Sequence, residues 1–120
     1  MPVGCAQRLE VVPAATHAKD ATVTVGVTDA AFIPGEYIEI PQTAETYRYL
    51  TMNYSEYEGF PQPLTNGGLN EHNVAGRDVW SPSRPDLVAM TPNPQTGPQY
   101  SDLSRIAMER ARTAREAVEI

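Results

Sequence analysis

The side chains in this chain that could do chemistry are few and far apart. Cys5 is the only cysteine. A single thiol makes neither an internal disulfide nor a cysteine-only zinc site, which leaves a free core cysteine or a nucleophile. His17 and His72 could be drawn together with Asp20 and Glu71 as metal ligands. Their spacing matches no helical zinc motif, so they read as solvated loop residues, and no metal or other cofactor is expected. Asn70 reads as the cap of its own turn through an Asx hydrogen bond. Asp78 stands next to Arg77 and near Arg84, either of which it could meet in water.

The stretch that positions Asn70 and Asp78 runs from Gly67 to Trp80 and predicts a β-hairpin. Leu69 and Val74 are its apolar shoulders, and Asn70 to Asn73 turn the chain between them. Asn tolerates the left-handed conformation that such a tip demands, so Asn73 is expected at positive φ. Val74, Ala75, Val79 and Trp80 supply strand-compatible bulk around Arg77 and Asp78.

Ahead of the hairpin, Arg8 to Val12 predicts a strand stopped by Pro13, and Ala14 to Asp20 a loop. Thr22 to Val25 alternates β-branched residues and predicts a second strand, ended by Gly26. Tyr37 to Ile40 is expected as a short strand before Pro41. Thr46 to Thr51 predicts a strand with Tyr47 and Tyr49 on one face. Asn53 to Asn66, with Tyr54, Tyr57 and Phe60, reads as a surface loop. Five prolines between Ser81 and Tyr100 leave room for one helical turn over Asp86 to Met90 in an otherwise extended connection. A helix follows over Ser101 to Ala111. Ser101 is its N-cap, Asp102 sits at the positive end of its dipole, and Leu103, Ile106, Ala107 and Ala111 share a face. Thr113 to Glu116 is a capping box for a second helix, with Val118 and Ile120 opening an apolar face. The tail charges, with Arg105 and Glu109 four apart as a pair, read as a solvated helix surface.

The order of strands, hairpin and helices is an α+β pattern. It divides a single partial domain into a strand-rich part (8–80), a proline-rich connection (81–100) and a helical part (101–120). With 120 residues, 41% apolar content and 11 prolines, the chain is one small domain or part of a larger one. The second helix stops after barely two turns, so the architecture is expected to be cut rather than finished. The net charge of -6 argues against a nucleic-acid surface. No run approaches the roughly 18 apolar residues of a membrane span. The start lacks a charged n-region and an apolar h-region, and a cytoplasmic location is expected.

Asn70-Glu71-His72-Asn73-Val74-Ala75, followed by Arg77 to Ser83, resembles the Asn-Glu-x-Gly-Val-Ala hairpin of the bacterial cysteine dipeptidases related to secernin. That family belongs to the N-terminal-nucleophile hydrolases. Asn73 stands where the family commonly has Gly, a departure that turn chemistry tolerates. The similarity extends to Ile40 to Tyr49, to Tyr100 to Leu103 and to Met108 to Ala117, and covers roughly two-thirds of the chain under the general ambiguity of short motifs.

The resemblance implies that the strands, hairpin and helices are parts of a four-layer αββα sandwich. It implies a hydrolase that cleaves dipeptides through a cysteine acyl-enzyme, without cofactor. The nucleophile would be an N-terminal cysteine whose own α-amino group serves as base, since its pKa lies near neutrality. Cys5 is the candidate, once Met1 to Gly4 are removed. The family's Gly-Lys-x-Ala-Ser/Thr-x-Asp-Gly-Ser stretch should follow, yet Ala6 to Ala14 looks like a later family strand. An alternative alignment reads Ala15 to Gly26 as a degraded form of that stretch. Most of the catalytic segment is thus expected outside this chain, and the chain alone is expected to be inactive. The return strand of the hairpin would run beside the nucleophile, so Asp78 and Asn70 become candidates for binding the substrate amine or the oxyanion. The expected partners are short peptides and either a second copy or the remainder of a longer chain. The alternative is a non-catalytic scaffold or interaction domain that kept the fold and lost the chemistry.

Overall fold

The computed structural model describes residues 7–27, 35–54, 64–79 and 81–120. In chain order its strands are β1 (Gln7–Val12), β2 (Ala15–Thr16), β3 (Thr22–Val25), β4 (Gly35–Glu36), β5 (Ile38–Pro41), β6 (Glu45–Thr46), β7 (Tyr49–Tyr54), β8 (Thr65–Asn70), β9 (Ala75–Arg77) and β10 (Gln95–Thr96). Helix α1 (Pro85–Met90) precedes β10, and α2 (Tyr100–Arg110) and α3 (Ala114–Glu119) close the chain. The mixture of sheet and helix is α+β, as the sequence pattern predicts.

The central sheet has the order β1-β7-β8-β9 and is antiparallel throughout. β3 pairs with β5 and β2 with β6, both antiparallel, while β4 and β10 form a short parallel pair. One irregularity matters to the sheet. The register of β7 against β8 slips between Thr51 and Asn53, and Gly67 sits at the slip with φ 119°. Only glycine takes that conformation without strain, and a side chain there would also run into the Gly76 carbonyl of β9.

The two faces of this sheet differ sharply. Helix α2 packs across β8 and β9 and buries Tyr49, Thr51 and Asn70. Its buried side chains include the small Ser101 and Ser104 and the unbranched Met108, and Gly76 lets it come close: a Cβ there would lie 3.4 Å from the Ser104 carbonyl. On the opposite face Val11, Leu50, Leu69 and Ala75 form one row across four strands, with Leu9 and Met52 beside it. Leu9 is 67% exposed, Val11 60%, Leu69 43% and Leu50 39%. The alternation that normally puts polar residues on a wet face is missing, so this face is apolar and, among the described residues, largely uncovered.

Buried charge joins the helix to the rest. Asp102, 1% exposed, accepts hydrogen bonds from the backbone of Gly26 (2.8 Å) and Gln99 (3.0 Å) and from the Arg105 guanidinium (3.0 Å). Arg105 also donates to the Thr24 carbonyl (3.2 Å). The end of β3, the start of α2 and its first full turn therefore meet on one carboxylate.

Several expectations are corrected. The N-cap of α2 is Gln99, whose side chain accepts from Ser101 N (2.8 Å) while Asp102 reaches back to Gln99 N. The Ser101 hydroxyl instead accepts from Thr65 N (2.6 Å), closing the start of β8. A buried tertiary donor has outbid the local cap. The strand expected over 46–51 is broken at Tyr47 and Arg48, because Tyr47 N donates to the Glu109 carbonyl and the Arg48 carbonyl accepts from Glu71 N, both at 2.9 Å. Tyr49 is buried, whereas Tyr47 stays at the surface, edge-on to His72 with ring centroids 4.4 Å apart. The loop expected over 53–66 begins and ends as strand, and Tyr57 and Phe60 lie outside the described residues. Arg105 is not part of a solvated surface: it is 2% exposed. Helix α3 starts where the capping box places it, with Thr113 Oγ1 accepting from Glu116 N (3.1 Å), though Glu116 returns its bond to Arg112 N (2.7 Å).

Candidate functional site

The hairpin forms as its sequence predicts. β8 and β9 flank a turn in which Asn73 has φ 62°, and Asn73 N donates to the Asn70 carbonyl (3.0 Å). Val74 is buried behind it. Asn70 fastens this tip. Its Oδ1 accepts from His72 N and Val74 N, both at 2.9 Å, which is the Asx cap read from the sequence. Its Nδ2 donates to the carbonyls of Met108 (2.9 Å) and Ala111 (2.7 Å), two groups that the end of α2 leaves without intrahelical partners. With Asn70 only 3% exposed and both ends of its amide engaged, a substrate would have to displace four hydrogen bonds to use it.

Asp78 lies at the other end of the sheet, just past β9. Its N–H donates to the Asn66 carbonyl at 3.3 Å. Its Oδ1 is buried and has no hydrogen-bond partner. The solvated pairing with a neighbouring arginine does not occur: the Arg77 guanidinium donates to the Asn66 carbonyl (3.4 Å), and Arg84 pairs with Asp86. Asp78 is therefore a carboxylate with one open, water-shielded acceptor.

Cys5 lies outside the described residues. The strand that follows it, β1, begins at Gln7 opposite Tyr54, and the register Asn53 to Thr65 and Gly67 to Arg77 brings the starts of β1 and β8 and the end of β9 to one end of the sheet. β1 and β9 are its two edges, three strand spacings or about 14 Å apart. Asn70 sits at the opposite end. Asp78 and the strand after Cys5 thus share an end of the sheet, and Asn70 does not join them.

Two further polar groups have defined partners. Thr51 and Thr65, both fully buried, share a hydroxyl contact and both donate to the Gly67 carbonyl (3.1 and 3.0 Å). This network closes the slip in β8 and faces no solvent. Beside it, Tyr49 donates to Glu109 Oε1 at 3.4 Å, while Glu109 Oε2 is buried without a partner. Burial raises the Glu109 carboxyl above its usual range. Burial, reinforced by the charge of Glu109, also pushes the Tyr49 phenol up. His17 Nε2 meets Thr46 Oγ1 at 3.0 Å, but Thr46 is buried and serves to hold β2 against β6.

A shallow hollow of about 390 Å³ lies over β2 and β6, lined by Thr16, Glu45, Tyr47 and Glu71 among others. Glu71 is already engaged by Arg48 N (2.9 Å), and the lining residues are mostly exposed. Its carboxylates, Glu45 and Glu71, lie in the open, and Glu45 stands opposite Thr16 across the β2–β6 pair. Among the described residues no group of three His, Cys, Asp or Glu side chains is placed to hold a metal ion. Nor is any described helix long and apolar enough to cross a membrane.

No protein-family model matches this chain, and no match exists among the curated proteins or the solved structures compared with it.

Reasoning from the sequence missed the buried Asp102–Arg105 pair and the Tyr49–Glu109 contact. A signal for the first was present: an acid and a base three residues apart, the spacing at which two side chains meet on one helix face. The second had none, because it depends on how β7 registers beneath α2.

Proposed function

We propose that this chain is the sheet-and-helix half of an αββα peptide hydrolase of the cysteine, N-terminal-nucleophile kind, and that Asp78 receives the ammonium group of a short peptide. The observation that carries this reading is the buried, unpartnered Oδ1 of Asp78. A shielded carboxylate oxygen without a donor is costly, and a primary ammonium brings both charge and three N–H groups to it. A free amine close to the scissile bond is what sets a dipeptide apart from the interior of a longer chain. Layering supports the same reading: α2 covers one face of the sheet, and the bare apolar face suits an inner face about 10 Å from a second sheet. In the reaction the Cys5 thiolate would add to the peptide carbonyl carbon. The leaving amine departs with a proton, and water then hydrolyses the thioester. The remaining catalytic groups come from outside this chain, and Asn70 keeps its structural bonds.

A second reading, a scaffold or interaction domain without chemistry, is favoured by Asn70, whose amide is wholly taken up by four structural hydrogen bonds.

The test is peptide binding followed by amide NMR, with hydrolysis measured in parallel. A dipeptide with a free amine should shift resonances around Asn66, Arg77 and Asp78, its N-acetylated counterpart should not, and Asp78→Asn should abolish the difference. Absence of any preference for the free amine sinks the substrate reading and leaves the scaffold. Hydrolysis by a form beginning at Cys5, lost in Cys5→Ala, would place the chemistry inside this chain. The intact chain is expected to turn over no dipeptide.

A further inference from the structure

Among the described residues, the outer edge of β1 is left unpaired. The other edge of the central sheet, β9, is only three residues long and lies beside α2, which is how an edge is ordinarily protected. β1 is six residues long, pairs with β7 in unbroken register and contains no proline, bulge or lysine. No other described strand pairs with its outer side.

Its charges have opposite sign and stand two apart on one face. Arg8 lies opposite Asn53 and Glu10 opposite Thr51, so both project to the α2 side of the sheet, while Leu9 and Val11 project to the bare side. Arg8 and Glu10 are exposed, and Arg8 makes no hydrogen bond or ion pair among the described residues. Glu10 holds Asn53 Nδ2 through one oxygen only.

We infer that two copies of this chain associate through antiparallel pairing of their β1 strands about Leu9, giving a continuous eight-stranded sheet. A sheet continued across a twofold keeps its two faces, so residues facing each other must come from the same face. That admits only pairings centred on a residue. Centring on Arg8 sets arginine against arginine, centring on Glu10 sets glutamate against glutamate, and centring on Val11 leaves both charges without an opposite partner and brings Pro13 into the ladder. Centring on Leu9 sets Arg8 of each copy opposite Glu10 of the other, and Leu9 against Leu9 on the bare side. Two symmetric ion pairs, a leucine pair and the backbone ladder then form together, and the apolar rows of the two copies merge into one surface. This association is independent of any chemistry at Asp78.

The experiment is sedimentation or light scattering of the full chain over a micromolar concentration range. The chain should dimerise reversibly. Arg8→Glu or Glu10→Arg alone should weaken the dimer about tenfold or more, since each places like charges opposite one another twice. The combined R8E/E10R variant should restore it. Leu69→Lys, which alters the bare face away from β1, should leave it intact. Circular dichroism of each variant checks that these exposed substitutions keep the fold. A chain that stays monomeric, a double reversal that fails to restore association, or a dimer lost in Leu69→Lys but indifferent to charge reversal would each overturn the proposal, the last in favour of sheets stacked face to face.

Discussion

Asp102→Asn removes one charge and almost no volume, yet it should be among the most damaging changes available. In the native fold Oδ2 accepts from two backbone N–H groups and Oδ1 from a guanidinium that is itself 2% exposed. Asparagine has only one oxygen. With its NH₂ turned toward Gly26 and Gln99, two buried donors face a third donor. With its NH₂ turned toward Arg105, a buried cation loses the Asp102 carboxylate and faces a donor instead. Breaking a buried ion pair by removing one member costs about 3–5 kcal/mol, and orphaned donors add to it. Against a total of about 5–15 kcal/mol for a small domain, that is a large share. With a urea slope of about 1–3 kcal/mol/M, the midpoint of unfolding should fall by about 1 M or more. Equilibrium urea unfolding followed by circular dichroism measures it, with Asp86→Asn as the control, because Asp86 and Arg84 pair in the open at 57% and 74% side-chain exposure. If Asp102→Asn shifts the midpoint no more than Asp86→Asn does, the buried pair does not hold α2 to β3.

Ser101→Ala should cost about 1–3 kcal/mol by orphaning Thr65 N–H, and it should speed hydrogen exchange at Thr65 more than at the first turn of α2. The reverse order would return Ser101 to a capping role. Asn73→Gly should be neutral or stabilising and Asn73→Val clearly destabilising, since φ is 62° there; equal melting temperatures for the two would contradict the turn. Burial raises the Glu109 carboxyl, so the folded chain holds that proton to higher pH than the unfolded chain does. Its contribution to stability is therefore greatest below pH 4.5 and is lost as pH rises through the raised value. Glu109→Gln should flatten that part of the stability profile, and an unchanged profile from pH 4 to 8 would refute the assignment.

What could be read from the sequence was whatever depended on near neighbours. The β-branched run Thr22 to Val25, the polar tip between Leu69 and Val74, and Thr113 as a cap are all decided within a few residues, and all occur. Ser101 failed because two suitable oxygens stood near the helix start, and the choice between them was made by Thr65, 36 residues away. Tyr47 and Tyr49 failed for a similar reason: period-two alternation was present, but Glu109 and Glu71 claim the backbone between them. Arg105 looked solvated because a charged residue on a helix usually is, and its burial against Asp102 and the Thr24 carbonyl of β3 is tertiary. At the candidate site the turn-capping half of Asn70 was legible and its reach to α2 was not. Asp78 was singled out, but its lack of an arginine partner is a consequence of tertiary placement.

The single amide of Asn70 has a kinetic meaning as well. It ties a turn, whose backbone would ordinarily flicker open, to the last carbonyls of α2, which would ordinarily fray. Two segments at the loose end of a stability gradient are thereby forced to open in one step. The amides of His72 and Val74 should share a common exchange rate with the C-terminal turn of α2. Loss of the Asn70 amide should therefore loosen both elements at once, the turn and the end of α2 alike.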